Sequence, residues 1–144
     1  MQNVNLVGTW KLLSAIARNP NGDTFYPFGE DAFGRLMYDS NGNVSVFLMK
    51  TGRSKFASDD RMEGTAEEKL EAFEGSLAYC GTYEIDEDEG TITHHVEGAN
   101  FPNWEETDQL RFFKLSGNQL TLTTPGILVR GKELIVSLIW ELKT

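Results

Sequence analysis

The sequence predicts a mainly β fold, namely a single antiparallel up-and-down β-barrel of about eight to ten strands with one α-helix packed on it or capping it. Short runs rich in β-branched and aromatic residues recur along the chain, and turn residues separate them. The 144 residues leave too little chain for two well-filled sheets, and closure of one sheet removes its exposed edges. Residues 1–144 are therefore expected to form one domain.

The first half of the chain contains two predicted hairpins. In the first, Val7–Arg18 is followed by a cluster of turn residues and then by Thr24–Pro27. In the second, Phe33–Asp39 and Val44–Lys50 flank an Asn-Gly pair that ends at Gly42. Because Asn-Gly supplies the positive φ angles of a tight turn, this hairpin is the better defined of the two.

A segment between the two halves of the chain has helical periodicity instead. Thr65 and Glu68 have the spacing of a capping box, and apolar residues then recur at helical intervals up to Leu77. We predict a helix over Thr65–Leu77 whose apolar stripe docks on the barrel. The preceding loop, residues 51–64, is long and charged, and it could form a flap at an open end of the barrel.

The second half returns to strand patterns. Two further hairpins are predicted from an acidic turn ending in Gly90 and from a Ser-Gly-Asn turn, and the chain closes with one more strand. The predicted strands are Tyr79–Asp86, Thr91–Glu97, Asp108–Leu115, Gln119–Thr123 and Glu133–Lys143.

The charge balance restricts the possible partners. Thirteen Lys and Arg against twenty-two Asp and Glu give a formal net charge of −9, which repels nucleic acids and anionic membrane surfaces. We therefore expect neither partner. The first six residues do not resemble a secretory signal, no apolar run is long enough to span a membrane, and the single Cys80 excludes an internal disulfide. A cytoplasmic location is predicted, and the oligomeric state stays open.

Several short motifs carry a family resemblance. Gly8-Thr9-Trp10 near the N-terminus resembles the Gly-x-Trp signature of lipocalins, and motifs spread over nearly the whole chain are similar to the small bacterial and fungal lipocalin-like domain family. These motifs are Gly81–Ile85, Thr93–Glu97, Phe101–Trp104, Leu120–Leu122 and Trp140-Glu141. The resemblance implies a barrel with a cavity, in which Trp10 packs across the closed end. Relatives among natural-product biosynthesis proteins keep an isomerase or cyclase activity open.

The only two histidines, His94 and His95, are adjacent on a predicted strand. Adjacent strand residues point to opposite faces, so the pair cannot chelate one metal ion and no metal site is expected. We expect His95 to face the lumen, either as a hydrogen-bonded wall residue or as a polar group that shuttles protons.

Further candidate site residues lie on the neighbouring strands and on one connection. Arg111 requires a partner if it points inward, and this could be Glu84, Glu97, or the carboxylate or enolate of a ligand. Trp104 follows the histidine strand and could line the mouth of the cavity or plug it. The apolar lining could come from Tyr38, Phe47, Met49, Tyr83, Phe113 and Trp140.

The favoured functional hypothesis is the binding of a small hydrophobic or amphipathic molecule in the barrel cavity. No cofactor is predicted, and no motif indicates nucleophilic catalysis, so binding is favoured over an enzymatic activity. The first alternative is a cofactor-independent isomerase or cyclase for a polyketide-like or terpenoid-like substrate, in which His95 acts with Glu84 or Glu97. The second alternative is a barrel filled by its own aromatic side chains, with no ligand.

Overall fold

The computed structural model describes residues 4–144, so the first three residues of the N-terminal stretch considered for a signal lie outside the description. It contains ten β-strands, one α-helix (α1, Ala66–Glu74) and one 3₁₀ turn (Pro102–Trp104) among those residues. The strands are β1 (Gly8–Arg18), β2 (Thr24–Phe25), β3 (Phe33–Tyr38), β4 (Asn43–Met49), β5 (Ser76–Asp86), β6 (Thr91–Ala99), β7 (Thr107–Ser116), β8 (Gln119–Thr123), β9 (Ile127–Val129) and β10 (Lys132–Leu142).

Eight of the strands form a closed antiparallel barrel. Each of β3 to β7 pairs with the next strand in chain order, and β8 pairs with β10. Strand β1 pairs with both β3 and β10 and so closes the sheet. The short strands β2 and β9 extend β1 and β10 beyond the closed part. The predicted fold class is therefore confirmed, including the up-and-down order and the single helix.

The two ends of the barrel differ. The β3–β4, β5–β6 and β7–β8 hairpin turns lie at one end, together with the start of β1 and the end of β10. Trp10 closes this end, where its side chain is 2% exposed and its Nε1 donates a hydrogen bond to the Leu6 carbonyl at 3.0 Å. Gly8 adopts φ 143°, and a Cβ there would lie 2.9 Å from the Leu142 side chain. A side chain at position 8 would therefore be strained and would crowd Leu142, which explains the glycine of the Gly-x-Trp motif.

The helix lies at the opposite, open end and is shorter than predicted. The capping box is present, because Thr65 and Glu68 exchange side-chain to backbone hydrogen bonds of 2.8 and 3.1 Å. However, α1 ends at Glu74, and Leu77 belongs to β5, where it pairs with Leu48. Sheet pairing overrides the helical periodicity at this point. No residue of α1 is buried, so the expected docking of an apolar stripe on the barrel is wrong and the helix caps the mouth instead.

The described chain also shows how the short strands and the predicted turn compare with the sequence prediction. The return strand after the first turn cluster is limited to β2, and the short strand β9 has no counterpart in the sequence prediction. The predicted β3–β4 hairpin is confirmed, but only Gly42 has the expected positive φ, at 88°, and Asn41 does not. No helix of the described residues has the length and apolar character needed to cross a membrane.

Replacing Trp10 tests the role of the closed end. Trp10→Ala removes a buried ring and its hydrogen bond, so the free energy of unfolding should fall by about 3 to 5 kcal/mol in a denaturant titration. Phe112→Ala, which truncates an exposed ring on the outer face of β7, is the control and should cost less than about 1 kcal/mol. A similar small loss for Trp10→Ala would contradict its assignment as the floor of the barrel.

Candidate functional site

A cavity of about 660 Å³ occupies the barrel and opens at the end capped by α1. Inward-facing aliphatic side chains form its walls, and residues of the mouth loops surround the opening. The principal wall residues are Leu36, Val46, Leu48, Leu122, Leu138 and Trp140. A volume of this size is in the range that accommodates one small organic molecule.

Strand β4 shows how the alternation of side chains divides wall from surface. Val46 and Leu48 are buried and line the cavity, whereas Phe47 is 40% exposed on the outer face. Met49 also lies outside the cavity, where its sulfur accepts a hydrogen bond from Arg53. The prediction that Phe47 and Met49 line the cavity is therefore wrong, because the opposite face of β4 is turned inward.

A chain of three polar side chains lies in the barrel interior. His94 is 1% exposed, and its Nε2 and Nδ1 atoms lie 2.7 Å from the hydroxyl oxygens of Tyr38 and Tyr79, respectively. Burial, and secondarily the nearby charge of Arg111, lower the pKa of the His94 imidazole to about 3. Burial likewise raises the pKa of both tyrosines. All three groups are therefore neutral at pH 7.

The hydrogen-bonded set formed by Tyr38, His94 and Tyr79 contains a fixed number of polar hydrogens. Two hydroxyl groups and one neutral imidazole carry three polar hydrogens, whereas the two contacts within the chain use only two of them. The third hydrogen remains on Tyr38 or on Tyr79, depending on the tautomer of His94. Tyr79 lines the cavity and Tyr38 does not, so only Tyr79 can present the remaining hydrogen to a molecule inside the barrel.

His95 lies on the outer face of β6, so the expectation that it faces the lumen is wrong. Its Nδ1 lies 2.6 Å from the Asp108 carboxylate, and its Nε2 lies 3.6 Å from Glu84. The hydrogen bond with Asp108 raises the pKa of His95, and Glu84 acts in the same direction. The two histidines do point to opposite faces as predicted, but His94 is the interior one because it shares its face with the core residues Ile92 and Val96.

Arg111 points inward from the middle of β7 and is 4% exposed. Its guanidinium donates a hydrogen bond to the Leu110 carbonyl at 2.9 Å and lies over the Trp104 ring, 5.6 Å from its centre. No carboxylate of residues 4–144 lies within 4.0 Å of it. The suggested ion pair with Glu84 or Glu97 is therefore absent, and the indole provides a cation–π contact instead.

The remaining predicted residues divide between cavity and core. Trp104 lines the mouth beside Tyr79, with the two ring centres 5.5 Å apart. Tyr83 packs edge-on against Tyr38, and its hydroxyl donates to the Asp39 carbonyl, so it stabilises the wall without lining the cavity. Phe113 is half-buried and packs against the core without lining the cavity.

Trp140 combines two properties that bear on ligand binding. Its ring is fully buried and lines the cavity on β10. Its Nε1 is buried, yet it has no hydrogen-bond acceptor among the described residues. A buried indole N–H normally has a partner, so this donor is an unsatisfied polar group in the barrel interior.

These features define a class of protein: an eight-stranded β-barrel with one closed end and an apolar central cavity. The family model that describes the lipocalin-like domain matches residues 7–142 of this chain. The chain belongs to the lipocalin-like domain family.

The chain is similar to a curated relative and to solved structures of other proteins. A 4'-hydroxy-3'-methoxypropiophenone carrier protein of Aspergillus oryzae is 30% identical over 92 residues, which are 60% of this chain and 83% of that protein. A lipocalin-like protein from Bacteroides uniformis is 15% identical with a TM-score of 0.49, covering 96% of this chain and 98% of that one. The fatty acid transporter REP1-NXSQ is 12% identical with a TM-score of 0.41, covering 96% of each chain.

The adjacent histidines should affect acid stability in opposite senses. In the folded state His94 stays neutral until the pH approaches its pKa of about 3, whereas in the unfolded chain it takes up a proton below the ordinary pKa of 6.5. Because protonation favours the unfolded chain, the free energy of unfolding falls as the pH falls from about 6.5 towards 3. Relative to His94→Gln, the wild type should lose about 1.4 kcal/mol of unfolding free energy per pH unit below about pH 5.5.

His95→Gln is the matched variant for this measurement. The raised pKa of His95 means that its contribution is present at acid pH and disappears as the pH rises through the folded-state pKa. This variant should therefore lose stability relative to the wild type in acid and match it at alkaline pH. Urea titrations between pH 4 and 8 measure both effects, and parallel pH curves for the wild type and His94→Gln would contradict the buried neutral imidazole.

Proposed function

We propose that this protein binds one small, mostly apolar molecule in the barrel cavity, with a carbonyl or acidic group of that molecule near Arg111. The main supporting observation is the cavity of about 660 Å³, which has aliphatic walls and an opening at one end. A space of this size and lining favours transfer of an apolar molecule from water, because each buried methylene contributes about 0.8 kcal/mol.

The curated relative supports the same kind of function. It is described as a carrier of 4'-hydroxy-3'-methoxypropiophenone, a small aryl ketone with a phenol group. Such a molecule has an apolar body and oxygen acceptors, which match the aliphatic walls and the donors of Arg111 and Tyr79 in this barrel. We therefore include aryl ketones among the ligands proposed for this protein.

Neither alternative receives comparable support. The isomerase or cyclase hypothesis placed proton transfer on His95 with Glu84 or Glu97, and none of these residues lines the cavity. Catalytic turnover therefore stays an untested alternative without assigned residues. The hypothesis of a filled barrel is disfavoured by the volume that the aromatic side chains leave open.

Intrinsic fluorescence can test binding, because Trp104 and Trp140 both line the cavity. Titration with the neutral dye Nile red and with 4'-hydroxy-3'-methoxypropiophenone should change tryptophan emission with dissociation constants in the range of about 1 to 10 µM. Native mass spectrometry should give one bound molecule per chain. The absence of a response to both probes would contradict the proposal.

A pair of neighbouring substitutions on β4 localises the binding. Val46→Phe adds a ring inside the cavity and should lower the affinity for both probes by at least about tenfold. The added ring should also lower the free energy of unfolding by about 1 to 3 kcal/mol. Phe47→Val changes an outward ring on the next residue and should leave the affinities unchanged. Equal effects of the two substitutions would indicate that the probes bind elsewhere.

A further inference from the structure

The interior of the barrel contains one buried charge without a counter-charge. Among the residues that line the cavity, Arg111 and Glu74 are the members of the Lys, Arg, Asp and Glu types, and the buried His94 imidazole is neutral. Glu74 lies at the mouth, where its carboxylate is 3.6 Å from the Arg130 guanidinium. Arg111 lies deeper and, in the described part of the chain, its neighbours are a backbone carbonyl, an indole ring and the neutral side chains of Tyr79 and His94, but no carboxylate. A cation removed from water in this way is costly unless an anion joins it.

The polar groups deep in the cavity are hydrogen-bond donors. Arg111 can only donate, and the indole Nε1 of Trp140 is a donor that the described residues leave without an acceptor. Tyr79 ends the interior hydrogen-bonded chain and can present the remaining hydrogen of that chain. An environment with several donors and a positive charge complements a group rich in acceptors and negatively charged.

We propose that the cavity takes its ligand as an anion. The ligand would be an apolar molecule with one weakly acidic oxygen group, a carboxylic acid, a phenol or an enol, whose ionised oxygen is held by Arg111. Where the molecule has a second oxygen acceptor, Trp140 would donate to it nearer the closed end. This inference rests on the proposed function and adds the charge state of the ligand and the residues that recognise it.

A matched pair of lipids tests the charge requirement on the full chain. Dodecanoic acid and methyl dodecanoate share the same tail, and at pH 8 only the acid is ionised. The wild type should bind the acid at least about tenfold more tightly than the ester when the two compete with Nile red. Arg111→Met should remove this preference and keep the affinity for the ester, because the apolar side chain preserves the wall.

Arg35 provides a control with the same local arrangement outside the cavity. Its guanidinium donates to the Gly34 carbonyl at 2.9 Å and lies over the Phe33 ring, 4.8 Å from its centre. Arg35→Met should therefore keep the preference for the acid. Trp140→Phe retains the aromatic wall without the N–H donor and should weaken the binding of 4'-hydroxy-3'-methoxypropiophenone, which has further oxygen acceptors, by about tenfold; unchanged affinity would overturn the role given to Trp140.

A second probe distinguishes phenols and enols from carboxylic acids. The ionised form of 4-nitrophenol absorbs at longer wavelength than the neutral form, so absorbance titration gives the pKa of the bound probe. If the site accepts a phenolate, this pKa should fall by about one unit in the wild type and not in Arg111→Met. A fall in the pKa supports phenolic or enolic ligands, and a preference for dodecanoate supports carboxylic acids.

The outcomes separate this inference from the proposed function. Equal affinity of the wild type for acid and ester, together with an unshifted pKa of 4-nitrophenol, would overturn the inference and leave apolar binding intact. An acid preference or a lowered pKa that persists in Arg111→Met would also overturn it. Failure to bind any of the probes would overturn both. The comparison of acid with ester and the pKa of bound 4-nitrophenol, both measured on the wild type, together decide the charge requirement even if Arg111→Met does not fold.

Discussion

Closure of the sheet through the pairing of β1 with β10 is the constraint on which the rest of this structure depends. Eight residue pairs from Trp10 with Leu142 to Arg18 with Ile135 join the first strand of the barrel to the last. Once the sheet is closed, every strand has an inner and an outer face, and each residue belongs to one of them by its position alone. The cavity, the buried polar groups and the exposed aromatic residues all follow from that division.

The closed interior also sets the chemistry of its polar groups. His94 is stabilised there only as a neutral imidazole between two tyrosine hydroxyls, and its neighbour His95 interacts with carboxylates in contact with water. Two residues of the same type, adjacent in sequence, thus have pKa values displaced in opposite directions. The distinction arises from burial and hydrogen bonding and not from the amino acid itself.

The fold could be predicted from the sequence because the signals that specify its turns, strands and helix are local. Turn residues such as Gly42, the capping box at Thr65 and the Gly8–Trp10 pair each specify a short segment, and the segments add up to one topology. The interior of the site was harder to predict, because periodicity places residues on two faces without saying which face is inner. On β4 the outer face is mixed: Phe47 and Met49 share it with the polar Asn43 and Ser45, whereas Val44, Val46 and Leu48 form a wholly apolar face. The two large apolar side chains of the mixed face obscured this signal.

One available signal favoured the correct histidine. His94 shares its face with Ile92 and Val96, and aliphatic neighbours indicate the covered side of a strand. By contrast, no sequence pattern could show that Tyr38 and Tyr79 would meet at the two nitrogens of His94, since these residues come from β3, β5 and β6. Nor could it show that the indole N–H of Trp140 lacks an acceptor, because that depends on which groups of the closed barrel lie within hydrogen-bonding distance.

The acidic surface has a kinetic consequence for the buried Arg111. A net charge of −9 repels an approaching anion at long range, whereas the attraction of one buried arginine acts only inside the barrel. Salt screens this repulsion over a Debye length of about 8 Å at physiological ionic strength, so the association rate of an anion rises with added salt. A weak acid avoids the barrier, because its neutral form can enter the mouth and lose its proton within. For an anionic ligand of the kind proposed, the acidic surface would therefore slow the entry of permanently charged molecules such as sulfonates, independently of how well they fit.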